Sequence, residues 1–233
     1  MKSFRENFEF NRKEDEGSTV MADLRGSIIH EALEKEIPPS EIEGFIRDIT
    51  RRSMAYGKID KKKFNRMEHF IIEDMKKFYV SPSYQKLKSF ERYKNEFEVY
   101  AAEEDYFLYG IVDKIVYDND RIIIIDYKTD SIPKEEIRER GEGYFNQLKF
   151  YAYAVSKSTK KQYKFELWIV FIKHPEEIIM QECTPADLEQ YKKGLSGIIG
   201  NIRENIYIKN RAHCPKCHLS DDKNECVDKD KAF

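Results

Sequence analysis

The period of the apolar residues changes twice along the chain. From Asp23 onward, Leu24, Ile28, Ile29, Ala32 and Leu33 recur at helical spacing, with Asp23 placed to cap the helix and Pro38-Pro39 to end it. Two further amphipathic segments, 41–54 and 64–78, are rich in Lys, Arg and Glu, so the first 85 residues read as nearly all α. The pattern then turns to β-rich runs. Phe97–Tyr100, Phe107–Val116 and Ile122–Asp126 are parted by polar turns at Glu103-Glu104-Asp105 and Asp118-Asn119-Asp120, which predicts an antiparallel meander. Four consecutive isoleucines, Ile122 to Ile125, suit a central strand covered on both faces. A helix over Tyr144–Val155, strands over 163–172 and 177–182, and a helix over 186–204 complete the pattern. Residues 1–22 read as a polar, flexible lead, 23–205 as the domain, and 206–233 as a cysteine-bearing tail. Helices, then a sheet, then more helices predict an α/β sandwich.

Composition narrows the partners. At 233 residues the chain suits one large domain with a small appendage, and 15 Tyr and 15 Phe supply material for a core. Charged residues reach 36%, yet the net charge is only −2, which excludes a wholly basic surface but leaves room for a local basic groove. No stretch reaches the roughly 18 to 20 apolar residues of a membrane span. The opening MKSFRENFEFNRKEDEG lacks the apolar core of a secretory signal. A cytoplasmic location without membrane attachment is expected.

The chemistry concentrates at two carboxylates and a lysine. Asp113 interrupts an apolar strand, Tyr109-Gly-Ile-Val-Asp113-Lys-Ile-Val, and a buried carboxylate costs several kcal/mol unless it is paired or holds a metal. Alone it could equally pair with Lys114 or Arg121. Thirteen residues on, the isoleucine strand ends in Asp126-Tyr127-Lys128. A tight turn at 118–120 can set Asp113 and Asp126 on adjacent strands, where both carboxylates can share one divalent ion. Asp126 and Lys128 are two apart in extended chain, so their side chains share a face, while Tyr127 points away. The Tyr127 backbone carbonyl can add a further oxygen ligand. Hard oxygen ligands beside a phosphate favour Mg²⁺ or Mn²⁺.

Gly26-Ser-Ile-Ile-His30, Gly110-Ile-Val-Asp113, Asp126-Tyr-Lys128-Thr and Gln147-Leu-Lys-Phe-Tyr151 resemble, in order, the motifs of the RecB-like branch of the PD-(D/E)XK nucleases. That branch includes helicase–nucleases of the RecBCD and AddAB type and CRISPR adaptation nucleases. The resemblance spans about residues 24–155 and is greatest to the AddA type. It implies a restriction-endonuclease-like core, a mixed β-sheet flanked by helices. It implies His30, Asp113, Asp126 and the Tyr127 carbonyl as metal ligands and Lys128 as the catalytic lysine. Gln147 and Tyr151, one turn apart on a helix, would contact DNA or orient Lys128. Glu96 or Glu98 would match an acidic position of some members. By default His30 is a half-buried helix residue and Tyr151 a core residue; the set as a whole favours function.

Cys214, Cys217 and Cys226 crowd the tail, whereas Cys183 stands apart at the end of a strand. In a reducing compartment such a cluster more often binds metal than forms disulfides. Three readings stay open: zinc held with His213 or His218, an iron–sulfur cluster completed from outside the chain, and free thiols. Zinc is favoured over the cluster, because the fourth cysteine that clusters usually require is missing from its expected place.

The resemblance, together with the Asp113, Asp126 and Lys128 pattern, implies a Mg²⁺- or Mn²⁺-dependent deoxyribonuclease acting on single-stranded DNA or DNA ends, an exonuclease before an endonuclease, in repair, recombination or defence. A helicase, recombination or CRISPR-type partner is expected. The alternative is a nucleic-acid-binding or assembly module with little cleavage of its own. A purely structural domain would leave Asp113 and Lys128 unexplained.

Overall fold

The β-rich runs pair into one five-stranded sheet, in the order β1 (Tyr93–Ala102), β2 (Phe107–Asp118), β3 (Arg121–Lys128), β4 (Lys164–Phe171) and β5 (Ile178–Cys183). The computed structural model describes residues 16–56, 61–159 and 161–206. Strands β1, β2 and β3 form the expected antiparallel meander, and Asp118 pairs with Arg121 across the β2–β3 turn. Asn119, at φ 54°, takes the left-handed conformation that a tight hairpin needs. Strand β4 lies parallel to β3 after a crossover through a helix, and β5 returns antiparallel at the edge.

Helices cover both faces. On one lie α1 (Glu16–Glu34), α2 (Ile42–Tyr56), α3 (Lys61–Tyr79) and α4 (Pro82–Lys88); on the other lie α5 (Ile137–Ser158) and α6 (Pro185–Arg203). The isoleucines divide accordingly. Ile122 and Ile124 enter the core beneath α5, while Ile123 and Ile125 enter the core beneath α1 and α3. All four are 0% exposed, which accounts for a strand without polar alternation.

Several boundaries differ from the sequence expectation. Helix α1 starts at Glu16, so Asp23 is an exposed residue of its body and not its cap. Met21 already packs on the core, and burial extends the helix upstream. Its end is a reciprocal pair of backbone bonds, Ile37 N–H to Ala32 O and Glu36 N–H to Leu33 O, with Glu36 left-handed at φ 51°. Helix α4 adds to the expected elements: Ser81 caps it, accepting from Tyr84 N–H at 3.2 Å, and Pro82 opens it. Helix α5 starts at Ile137, well before Tyr144. Two glycines disguise its first turns, and a Cβ on Gly141 would sit 3.2 Å from Ile179 on β5. Among the described residues no helix is long and apolar enough to cross a membrane. Cys214, Cys217 and Cys226, with His213 and His218, lie outside the described residues.

Candidate active site

Three elements converge at the C-terminal end of β3. The register that pairs Lys114 with Ile125 brings Asp113 beside Asp126 at the next position. Asp113 Oδ2 accepts the Tyr127 backbone N–H at 2.9 Å, and Oδ1 lies 3.4 Å from His30 Nδ1 on α1. The glycine four residues before His30 lets α1 approach the loop after β3: a Cβ on Gly26 would stand 3.4 Å from Thr129 Oγ1. Arg25 fixes the same level of α1, donating to Ser131 Oγ at 2.8 Å and pairing with Asp74 of α3 at 2.9 Å.

Lys128 shares a face with Asp126, as the period of two requires, and its Nζ stands 2.8 Å from Asp126 Oδ2. Tyr127 points to the opposite face and packs edge-on against His30 and Phe78. Helix α5 presents Tyr144, Gln147 and Tyr151, at i, i+3 and i+7 and so on one face, toward the lysine. Lys128 donates to Gln147 Oε1 at 3.3 Å, and Gln147 Nε2 donates to the Tyr151 hydroxyl at 2.9 Å. The ammonium also lies 4.2 Å from the centre of the Tyr144 ring. Tyr151 is buried, which places it behind Gln147. Sequence reasoning does not single out Tyr144, nor Asp130, which accepts from the Tyr144 hydroxyl at 2.8 Å and faces Arg140 at 3.7 Å. The helical spacing to Gln147 was the available signal.

The two acids titrate apart. Burial pushes the Asp113 carboxyl upward, but His30, the Tyr127 amide and Lys128 together outweigh it and hold the group below its ordinary range. For Asp126 burial prevails: desolvation, helped by the Asp113 charge, holds its carboxyl above the ordinary range despite Lys128. The sequence offered Lys114 and Arg121 as partners for Asp113, and neither reaches it. Lys114 turns to the opposite face, toward Asn95 and Glu36, and Arg121 binds Asp118 and Glu166.

A third acid joins them. Donor atoms of His30, Glu96 and Asp113 all lie within 4.8 Å of one another. Glu96 faces Asp113 in the β1–β2 register and adopts φ 45°, an unfavourable backbone for a non-glycine residue in a strand. The ribbon changes direction there: Tyr93 and Val116 pack under α1, whereas Phe97 and Val112 pack under α5. Of the two candidate glutamates, Glu98 stays exposed against Tyr100 and Tyr109, at 2.8 and 3.5 Å. Asp126 stands outside the His30–Glu96–Asp113 triangle, with Lys128 on its Oδ2. Carboxylates and an imidazole, gathered where two buried acids sit in neighbouring register, suit a hard divalent cation.

The sequence matches the PD-(D/E)XK nuclease superfamily over residues 4–221. It is similar to an ATP-dependent helicase/nuclease subunit of Clostridioides difficile, 26% identical over 179 residues, which covers 66% of this chain and 14% of that protein. The protein of the same name from Thermoanaerobacter sp. is 29% identical over 137 residues, 59% of this chain and 10% of that protein. This chain therefore spans about a seventh or less of the relatives it matches. Among solved structures, a Eubacterium rectale protein described as a candidate exonuclease superposes with TM-score 0.45 at 16% identity, covering 84% of this chain and 72% of the other. By the extent of that family match, the chain belongs to the PD-(D/E)XK nuclease superfamily.

Proposed function

We propose that this chain hydrolyses DNA phosphodiesters with the help of Mg²⁺ or Mn²⁺ held by His30, Asp113, Asp126 and the Tyr127 carbonyl, with Glu96 as an additional ligand. The observation that carries the reading is the meeting of Lys128 and two buried acids from adjacent strands with an imidazole from α1. Such an ion would supply charge stabilisation at the phosphate and acidify a water. The remaining work belongs to the chain. Lys128 orients the attacking water or offsets charge on the phosphate, and Gln147, braced by Tyr151, fixes where its ammonium points. Asp126, with Lys128 on its Oδ2, would be a receptive ligand because it is buried. The names of the relatives favour a setting alongside a helicase; exonucleolytic action on single strands or ends, in the cytoplasm, is part of the same proposal.

Cleavage of labelled single- and double-stranded DNA in Mg²⁺, Mn²⁺ or EDTA tests the activity. Full activity in EDTA overturns the metal requirement. The ligands have an independent readout. Mn²⁺ is expected to raise the thermal midpoint of the native protein by preferential binding, and His30→Ala to shrink that shift. An unchanged shift removes His30 from the ligand set. DNA binding without cleavage under every metal condition would favour the assembly-module reading.

A further inference from the structure

The end of the α2–α3 hairpin carries Arg51, Arg52, Lys61, Lys62, Lys63 and Arg66, all exposed, with Asp48 the one acid among the described residues between 47 and 66. In a chain of net charge −2 this is a strong local excess of positive charge. Its position follows from five contacts. Helix α2 runs antiparallel to α3, since Thr50 bonds Glu68 and Glu43 pairs with Lys76. Helix α1 runs in the same sense as α3, since Arg25 pairs with Asp74 and the Tyr79 hydroxyl donates to Ile37 O at 2.7 Å. Arg25 also holds Ser131, three residues beyond Lys128. The N-terminal half of α3 therefore projects past the C-terminal end of β3, the end at which the candidate active-site residues gather.

The flank of α3 nearest the site is the one that bears Asp74, turned toward α1. Lys63, Met67 and Phe70 precede Asp74 on that stripe at helical spacing. Phe70 is 48% exposed, unusual for a phenylalanine on a charged helix, and the Arg66 guanidinium lies 5.5 Å from its ring centre. From the level of His30 to that of Lys63 is about 24 Å along the helix axes at 1.5 Å per residue. At 3.4 Å per nucleotide this equals about seven nucleotides of DNA.

We propose that the basic tip of the α2–α3 hairpin is a DNA-backbone-binding surface, gripping the substrate about seven nucleotides from the bond to be cut. This rests on the reading of His30, Asp113 and Asp126 as the cleavage site. Lysine and arginine on phosphates act through released counterions, so the contact is sequence-independent and weakens steeply with salt. Backbone grip away from the metal suits a nuclease that must hold any sequence while its few catalytic groups act on one phosphate.

The test measures binding apart from cutting. In an Asp126→Asn background, anisotropy of labelled DNA of about 30 nucleotides, single- and double-stranded, is followed between about 50 and 200 mM salt. The triple variant Lys61→Gln, Lys63→Gln, Arg66→Gln is expected to bind about tenfold or more weakly, with a log–log salt slope shallower by about two to three. Arg51→Gln with Arg52→Gln should reduce the slope in the same direction. Lys76→Gln with Lys77→Gln, at the far end of α3, should leave it unchanged. A probe of about four nucleotides, too short to reach the tip, should lose nothing in the triple variant. A parental slope in both tip variants, or equal loss on short and long probes, overturns the proposal and assigns the tip to another partner such as an acidic protein surface. Tip-dependent binding by a native protein that cuts no DNA leaves this surface standing and overturns the nuclease reading.

Discussion

Two lysines, the buried Lys114 and the half-buried Lys128, lie on opposite faces of the same sheet and have the same kinds of neighbour. Lys114 has Asn95 Oδ1 at 2.9 Å, Glu36 Oε1 at 3.6 Å and the Tyr93 ring centre at 3.4 Å. Lys128 has Gln147 Oε1 at 3.3 Å, Asp126 Oδ2 at 2.8 Å and the Tyr144 ring centre at 4.2 Å. Each thus meets an amide oxygen, a carboxylate and an aromatic face. What differs lies one step further out. The partner of Lys114 is Glu36, a half-exposed residue at a helix end, beside a cavity of about 220 Å³ lined by Tyr79, Tyr84 and Tyr127. The partner of Lys128 is itself buried and neighbours a second buried acid and an imidazole. A buried, well-partnered lysine is therefore no sign of chemistry. Adjacent buried acids that need a cation are the better sign, because nothing in folding alone favours them.

The contrast can be broken most sharply by making the same substitution twice. Lys128→Met is expected to lower DNA cleavage about a thousandfold or more, several kcal/mol of transition-state stabilisation, and Asp113→Ala and Asp126→Ala likewise. Lys114→Met, one residue from Asp113, should leave the rate within about twofold. Equal losses in both lysine variants, each still folded by circular dichroism, would show that burial and not chemistry drives the effect.

Gly110→Ala probes the bracing behind Lys128. A Cβ there would stand 2.8 Å from Tyr151 Cε1 and 3.0 Å from Phe150 Cε1, so β2 and α5 must part or the rings must turn. Overpacking of this kind costs about 1–3 kcal/mol, and displacement of Tyr151 should release Gln147, lowering cleavage about tenfold beyond the stability loss. A urea midpoint that falls while the rate holds would confine Gly110 to packing.

The aromatic seat of the lysine gives a smaller effect. Tyr144→Leu removes the ring beneath Lys128 and is expected to lower the rate about tenfold, about 1.4 kcal/mol, within the range of a partly buried cation–π contact. Tyr144→Phe keeps the ring and loses only the hydroxyl's bonds to Asp130 and Arg140, so its rate should stay near that of the native protein. If the phenylalanine variant falls as far as the leucine variant, the hydroxyl network and not the ring positions Lys128.

Smallest is a pH effect that belongs to Lys114. Burial pushes its ammonium down to about 8, although Glu36 pulls the other way. The unfolded lysine titrates near about 10.4, so between about pH 8 and 10.4 the unfolded chain binds more protons than the folded one. Stability from this group should therefore rise with pH across that window, and Lys114→Met should flatten the rise in a series of urea midpoints. The same slope in the variant would assign the effect to other groups.

The sheet was legible because its signals are local. The turns at 103–105 and 118–120, the isoleucine run and the spacing of Asp126 to Lys128 each depend on a few consecutive residues. The same holds for the four motifs, whose order along the chain marked the superfamily that the match over residues 4–221 establishes. Less legible were α4 and the first turns of α5. There the Ser81 cap starts α4, and the packing of Gly141 against Ile179 outweighs glycine's low helix propensity in α5.

By itself, then, the sequence determined the strand order of the meander, the shared face of Asp126 and Lys128, and a set of residues pointing to metal-dependent phosphodiester chemistry. Tertiary structure alone decided which glutamate meets Asp113. Glu96 and Glu98 have the same parity along β1, and only the left-handed turn of the backbone at Glu96 separates them. Tertiary structure also seated Lys128 on Tyr144 and turned Lys114 away from it, and it carried the basic tip of α2–α3 past the C-terminal end of β3. Periodicity fixes which side of its own element a residue occupies. What stands opposite depends on how elements far apart in sequence pack, and no local pattern encodes that.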